Sequence, residues 1–272
     1  MALTRNGVTY RVADSHAHIY PEKIAEKATA SVGTFYDTEM QNLGTTAELL
    51  RSGGEIGAEK YLVSSVATKV EQVRSISAFI AGECEKHPEF LGLGAWHQDV
   101  TDIIGEMDHL EELGLRGIKL HPDFQKVDID DARLLPVYEE AQSRNLAVLF
   151  HMGDYRMAFS KPKRLAKIIK QFPRLLCIGA HLGGYTTWDE ALEELPPAEK
   201  LYVDSSSSLD FLTPEKARRN ILHFGVEHTF FAVDFPMWRH CDEIDRYFAL
   251  GFSEEENRKM LWDNFARVFS LK

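Results

Sequence analysis

Short apolar segments and amphipathic segments alternate along the whole chain. The apolar segments that are predicted to be strands cover residues 10–15, 60–66, 90–96, 117–121, 146–151, 175–181, 201–206 and 229–234. Several of them are too apolar to be half-exposed strands, and continuous apolar strands are typical of a parallel sheet that is covered on both faces. The amphipathic segments between them predict helices. The pattern therefore indicates an α/β fold with a parallel sheet.

Capping residues, proline and glycine mark the ends of the predicted helices. Thr213 is a candidate N-cap, Pro214 occupies the first helical position, and Gly225 follows the last turn of the same helix. Ser253 and Glu256 form a capping-box pattern that begins a final helix near the C-terminus. These local signals support helices between and after the strands.

Eight strands alternating with helices predict a distorted (β/α)₈ TIM barrel, which we expect to be a single domain over residues 1–272. An open, doubly wound sheet is the alternative, but no predicted strand leads into a glycine-rich nucleotide-binding turn. Residues 21–57, between the first and second strands, are more than one crossover needs. We therefore expect an extra helix and a loop over the barrel mouth.

Composition excludes several classes of protein. The chain has 31 Lys and Arg against 42 Asp and Glu, a net charge of −11, and no basic cluster, so no nucleic-acid partner is expected. Residues 1–10 contain no apolar signal segment, and no apolar run approaches a membrane-spanning length. We expect a cytoplasmic protein that acts on a small molecule without membrane contact; homo-oligomerisation stays open. The three cysteines are widely spaced, and we expect them to be reduced thiols.

Candidate chemistry is concentrated at the ends of the predicted strands. His16 and His18 lie two residues apart at the end of the first strand, so their side chains should point the same way. Such a pair is a weak signal by itself. In a (β/α)₈ barrel, however, the active site is built at the C-terminal ends of the strands. Four further polar residues end later strands: His121, His151, His181 and Asp234.

Several imidazoles and one carboxylate at one end of a barrel indicate a divalent metal site. Nitrogen ligands with a single oxygen ligand suit Zn²⁺, which is our first assignment, with Mn²⁺, Fe²⁺ and Co²⁺ as alternatives. Such a site leaves a position for water and carries net positive charge, which favours the hydroxide form of that water.

Motifs at these positions occur in order along nearly the whole chain. They are Asp14-Ser15-His16-Ala17-His18, Lys119-Leu120-His121-Pro122, His151, Ala180-His181-Leu182-Gly183-Gly184, Val233-Asp234-Phe235-Pro236 and Asn264-Phe265-Ala266-Arg267. Together they resemble the amidohydrolase superfamily, and most closely its amidohydrolase-related branch, which includes the aminocarboxymuconate-semialdehyde decarboxylase group. The resemblance implies a distorted (β/α)₈ barrel with one metal. Here Ala232 and Val233 stand where the family often has Gly-Ser or Gly-Thr before the strand-eight aspartate.

The resemblance also assigns roles to these residues. It implies that His16, His18, His151 and Asp234 hold the metal, and that His181 is the acid/base acting on the metal-activated water. Asp234 is expected to accept a proton as well as to bind the metal.

The roles of Lys119 and His121 are less defined by the motifs. In binuclear members of the superfamily a carboxylated lysine ends the fourth strand and bridges two metals, but a second metal bridged by Lys119 is not expected here. Lys119 and His121 should both face inward, and we predict that they bind substrate or adjust the charge of the site. Trp238 is a further candidate for substrate binding, because it lies with other aromatic residues near the predicted strand ends.

Two reactions fit such a site. The first is hydrolysis of an amide, ester or lactone bond in a small molecule; the second is non-oxidative decarboxylation or hydration of a small carboxylic acid, aromatic acids included. The chain is shorter than typical decarboxylases of this branch, and none of Arg51, Arg156 and Arg239 can be matched to their substrate-binding arginine, so hydrolysis is preferred. A barrel that only binds a ligand is disfavoured, because every expected metal ligand is present.

Overall fold

The computed structural model describes residues 2–271, and a ring of short parallel strands organises it. The strands are β1 Leu3–Arg5, β2 Val8–Tyr10, β3 Ala13–His18, β4 Lys60–Ser64, β5 Phe90–Gly92, β6 Gly94–Ala95, β7 Gly117–Leu120, β8 Ala147–Phe150, β9 Cys177–Gly179, β10 Leu201–Asp204 and β11 Thr229–Phe230. Parallel pairing links β3 to β4 and β5, and links β6 through β11 in chain order. Strands β5 and β6 are separated by Leu93 alone, whose N–H donates to the Val63 carbonyl at 2.9 Å.

The ring closes between its first and last members. Beyond β11, the chain continues alongside β3, where the Ser15 N–H donates to the Phe231 carbonyl at 3.1 Å. The Asp234 N–H donates to the His16 carbonyl at 2.9 Å. These bonds join the eighth strand position to the first, which is the closure that a (β/α)₈ barrel requires. The predicted barrel fold is confirmed.

The N-terminus differs from the sequence-based expectation. Residues Val8–Tyr10 pair antiparallel with Leu3–Arg5 in a hairpin, so the first barrel strand begins at Ala13 and not at residue 10. Asn6 and Gly7 form the turn with positive φ values of 51° and 79°. An Asn-Gly turn of this kind matches the right-handed twist of a two-residue hairpin, which accounts for the pairing.

The helices surround the ring. They are α1 Glu22–Tyr36, α2 Thr46–Glu55, α3 Val73–Lys86, α4 Ile103–Glu112, α5 Pro122–Gln125, α6 Leu135–Ser143, α7 Pro162–Gln171, α8 Trp188–Glu194, α9 Pro214–Phe224, α10 His240–Phe248, α11 Glu254–Arg258 and α12 Asn264–Val268. The capping box at Ser253 forms as predicted, but a π-helical turn at Lys259–Asp263 interrupts the final helix. Among residues 2–271, no helix has both the length and the apolar character needed to cross a membrane.

Side-chain alternation in the strands sorts the core into an inner and an outer layer. On β8, Ala147 and Leu149 belong to one apolar cluster, while Val148 and Phe150 belong to the larger cluster. The smaller cluster also includes Trp262 and other aromatic residues of the last helical segment, so that segment packs against the strand side chains of this cluster. Because the direction of side chains alternates along a strand, His151 points to the same side of the sheet as Leu149.

Candidate metal centre

Three predicted metal ligands meet at the C-terminal ends of the first and last strands. The Nε2 atoms of His16 and His18 lie 3.1 Å apart, and Asp234 Oδ1 lies 3.6 Å and 3.5 Å from them. Metal–ligand bonds of about 2.1 Å place neighbouring donors about 3.0 Å apart in an octahedron and about 3.4 Å apart in a tetrahedron. The donor triangle of His16, His18 and Asp234 therefore fits a divalent metal by both spacing and ligand type.

A buried carboxylate holds these strand ends together. Asp14 Oδ1 accepts the N–H groups of His16 and Val233, each at 3.0 Å, so it bridges the first and eighth strands beside the donor triangle. Its second oxygen lies 3.1 Å from His240 Nε2. His240 is fully buried, and its Nδ1 lies 2.9 Å from Ser52 Oγ. This contact joins α10 to α2, which pack against each other.

Asp204 supports His16 from behind, and the sequence analysis missed it. Its Oδ2 lies 3.1 Å from His16 Nδ1, and both side chains are buried. A proton on Nδ1 then leaves the Nε2 lone pair of His16 for the metal, as in carboxylate–histidine–metal arrangements. The sequence did contain a signal for this residue: the apolar strand β10 ends in Asp204, just as the eighth predicted strand ends in Asp234.

We expect Asp204→Asn to weaken metal affinity by about 10–100-fold while the fold is retained, because the amide loses the charge that orients His16. Competition with a metal buffer measures the affinity. Asp189→Asn, at an exposed ion pair with Arg219, is the matched control and should leave the affinity unchanged. An Asp204→Asn affinity equal to wild type would contradict this role of Asp204.

Charges at the centre favour the protonation states that a metal needs. Burial lowers the pKa of His16, and nearby Lys119 lowers it further. Burial also lowers the pKa of His18 to about 4, so both imidazoles are neutral at pH 7. Burial opposes ionisation of Asp234, yet the pKa of its carboxyl lies well below the ordinary value. The result is two neutral nitrogen ligands and one carboxylate.

Lys119 lies within the barrel, next to the donor triangle. Its Nζ is 3.0 Å from His16 Nε2, and the side chain is fully buried. Burial lowers the pKa of this lysine to about 8. The position agrees with the predicted inward orientation and with a role in adjusting charge. Lys119 does not belong to the residues that line the cavity described below.

His151 and His181 form a second pair beside the triangle. His151 Nδ1 lies 3.0 Å from His181 Nε2, and His151 Nε2 lies 3.3 Å from the Tyr36 hydroxyl. His151 thus stands next to the donor triangle with both nitrogens engaged. His181 has φ +60° and Asp234 has φ +63°, a left-handed conformation that is uncommon outside glycine and is enriched at functional sites.

A cavity of about 440 Å³ opens onto the donor triangle and the other site histidines, His121 among them. Helix α1 covers it, as expected for residues 21–57, and contributes Ile24, Lys27, Ala28, Ser31, Val32 and Tyr36. Much of the remaining lining is apolar: Met40, Val66, Phe124, Pro236 and Met237. Of the residues that the structure describes, no arginine lines this cavity.

The remaining candidates for substrate binding lie elsewhere. Trp238 is buried outside the cavity lining, and its indole N–H donates to Ser207 Oγ at 2.9 Å; Ser207 in turn donates to Asp234 Oδ2 at 2.5 Å. Trp238 thus supports a candidate ligand through Ser207. Arg51 forms an exposed ion pair with Glu48 on helix α2, and Arg239 forms one with Asp242 at the start of helix α10. Arg156 pairs with Asp154.

A parallel barrel with histidine and aspartate ligands at the C-terminal strand ends defines a class of metal-dependent barrel enzymes. Within that class, the model of the amidohydrolase family matches residues 13–271, and the chain belongs to this family. The family resemblance drawn from the motifs is thereby confirmed.

Solved structures of similar fold extend over nearly the whole chain. A 2,6-dihydroxybenzoate decarboxylase from Rhizobium has a TM-score of 0.73 and 19% identity, covering 96% of this chain and 99% of its own. A 5-carboxyvanillate decarboxylase from Novosphingobium aromaticivorans, complexed with manganese and a nitrobenzoic acid, has a TM-score of 0.75 and 15% identity, covering 96% of each chain. A protein from Pseudomonas putida, proposed to be a 2-pyrone-4,6-dicarboxylic acid hydrolase, has a TM-score of 0.65 and 17% identity, covering 97% and 99%. A search of curated proteins found no match.

Proposed function

We propose that the chain is a metal-dependent hydrolase that acts on an amide, ester or lactone bond of a small molecule. The observation that carries this proposal is the donor triangle facing a largely apolar cavity with no arginine among its described lining residues. A carboxylate that the metal itself does not bind needs another countercharge when it leaves water. Apart from the site histidines, the only cationic side chain among the described lining residues is the exposed Lys27 on α1. An uncharged acyl group is the better match.

We propose that one divalent metal is held by His16, His18 and Asp234, with His151 as the fourth ligand. His151 reaches this role by giving its Nε2 lone pair to the metal, because its Nδ1 faces His181. The nitrogen-rich donor set supports Zn²⁺, and manganese in a structural neighbour makes Mn²⁺ the first alternative. Lys119 Nζ lies next to His16, and we propose that this lysine is not carboxylated and does not bridge a second metal.

When bound, the metal supplies an acidified water and polarises the scissile carbonyl. The carboxylate of Asp234 is fixed by the Ser207 hydroxyl and lines the cavity, so it is placed to act as a proton acceptor there. His181 is the second proton-transfer group in this proposal, with its Nδ1 4.0 Å from Asp234 Oδ2. Its orientation is fixed by the Ser206 carbonyl, 3.0 Å from the same Nδ1.

Decarboxylation is the second candidate, and the structural neighbours favour it. Two of the three structures described above are decarboxylases of aromatic acids, and their chains cover 96% of this one. The apolar lining of the cavity would accept an aromatic ring, and the positive metal site would supply a countercharge for the carboxylate, with Lys27 as a second cation at the mouth.

Two substrate panels separate the candidates. We expect the metal-loaded protein to turn over lactones, esters or amides without CO₂ release, and elemental analysis to give about one metal per chain. An aromatic and muconate-type acid panel, assayed for CO₂, serves as the comparison. CO₂ release with no hydrolysis would reject the hydrolase proposal, and two metals per chain would contradict the role given to Lys119.

A further inference from the structure

The last residue of the covering helix α1 reaches the site histidines. The hydroxyl of Tyr36 lies 3.0 Å from His121 Nε2 and 3.3 Å from His151 Nε2. Its ring packs edge-on against Phe35 and Tyr185, and the residue lines the cavity. The Tyr36 hydroxyl has one proton and two neighbouring nitrogens. The direction of each hydrogen bond therefore decides to which atom Tyr36 can donate.

His121 fixes one end of this hydrogen-bond chain. The Phe124 backbone N–H donates to His121 Nδ1 at 3.3 Å. A ring nitrogen that accepts a hydrogen bond carries no proton, so the His121 proton must be on Nε2. His121 therefore donates from Nε2 to the Tyr36 oxygen, and the Tyr36 proton remains free for another acceptor.

His181 fixes the other end independently. Its Nδ1 lies 3.0 Å from the Ser206 carbonyl, which can only accept, while the Ser206 hydroxyl donates to Asp204. His181 therefore carries its proton on Nδ1, and its bare Nε2 accepts from His151 Nδ1 at 3.0 Å. His151 Nε2 is then also bare, and it accepts the Tyr36 proton. Both ends impose the same direction on the chain.

The bare Nε2 of His151 has only one lone pair. If that lone pair binds the metal, as proposed above, the hydroxyl proton of Tyr36 loses this acceptor and faces the cavity. His121 continues to donate to the Tyr36 oxygen, so the hydroxyl stays oriented.

We infer that Tyr36 donates its hydroxyl proton in a hydrogen bond to an oxygen of the bound substrate, and that His121 orients it for this purpose. This inference rests on the proposed function, in which the oxygen belongs to the carbonyl group under attack. Helix α1 thereby contributes a residue that contacts substrate as well as a cover for the mouth. No bond is made or broken by Tyr36 in this role.

The direction of the chain can be tested without any substrate. In the metal-free protein labelled with ¹⁵N-histidine, we expect His121 to be the Nε2–H tautomer and His181 the Nδ1–H tautomer. Tyr36→Phe removes the acceptor of the His121 proton and should shift the His121 Nε2 resonance. An Nδ1–H tautomer at His121 would overturn the inference whatever the reaction proves to be.

The contact with substrate is tested by Tyr36→Phe on whichever panel compound the wild type converts. We expect kcat to fall about 10–100-fold, as for loss of a donor to a developing oxyanion, with metal content and melting temperature unchanged. Thr34→Ala, on the same helix, removes a hydroxyl that bonds the Ala30 carbonyl outside the cavity lining, and it should keep wild-type kcat. Wild-type kcat in Tyr36→Phe would overturn the inference. If no acyl compound is converted but CO₂ is released, the hydrolase proposal fails, and the same variant is then measured on the acid substrate.

Discussion

Substitution of His16 by alanine is expected to remove metal and activity together. His16 Nε2 is one corner of the donor triangle, and its Nδ1 is held by Asp204. Alanine removes a nitrogen ligand from a fully buried position, where no other side chain replaces it. We expect metal content near background and a loss of turnover of about 10³-fold or more, since the activated water depends on the metal.

Elemental analysis of the purified variant, alongside circular dichroism, measures this effect. His109→Ala, on the outer helix α4, is a suitable control because it removes an imidazole away from the site, and it should keep full metal content. His16→Ala that retains one metal per chain would exclude His16 as a ligand. The same measurement on His151→Ala decides the fourth ligand, because full retention there would limit the ligands to the donor triangle.

His181→Ala should separate catalysis from metal binding. His181 bonds to His151 and to the Ser206 carbonyl, and neither of its nitrogens belongs to the donor triangle. We expect metal to stay bound while kcat falls by about 10²–10⁴-fold, the range for loss of a general acid or base. Metal content and kcat, measured on the same preparation, give the result.

His181→Gln is the matched variant for this prediction. An amide keeps a hydrogen-bond donor near the Ser206 carbonyl but cannot carry a proton between groups. If the role of His181 is proton transfer, His181→Gln is as impaired as His181→Ala. Recovery of kcat in the glutamine variant would show a purely orienting role, and loss of metal in either variant would make His181 a ligand.

Sequence signals that involve only neighbouring residues, such as helix caps and turns, agree with the local structure of this chain. Helix α9 spans Pro214–Phe224 with Thr213 as N-cap and Gly225 after its last residue, because caps satisfy backbone groups within one turn. The Asn6-Gly7 turn was an equally local signal for the N-terminal hairpin, and the expected strand from residue 10 overlooked it.

The candidate site was predictable in part. The rule that places active sites at the C-terminal ends of barrel strands was enough to select His16, His18, His151, His181 and Asp234, and the structure brings them to one cavity. The roles of Asp204 and His240 were not predictable, because each depends on a partner more than 180 residues away. The side chain of Trp238 lies near the site, but its indole N–H is directed to Ser207, a contact that the sequence does not reveal.

The sequence by itself determined the order of strands and helices and the strand ends that carry imidazole or carboxylate groups. Those features follow from periodicity and capping, which act over a few residues. Closure of the barrel decided which atoms face each other: Asp14 joins the first strand to Val233, Lys119 reaches His16, and Tyr36 reaches His151. Such contacts depend on distances across the ring and on the direction of each imidazole, and only the tertiary structure sets these.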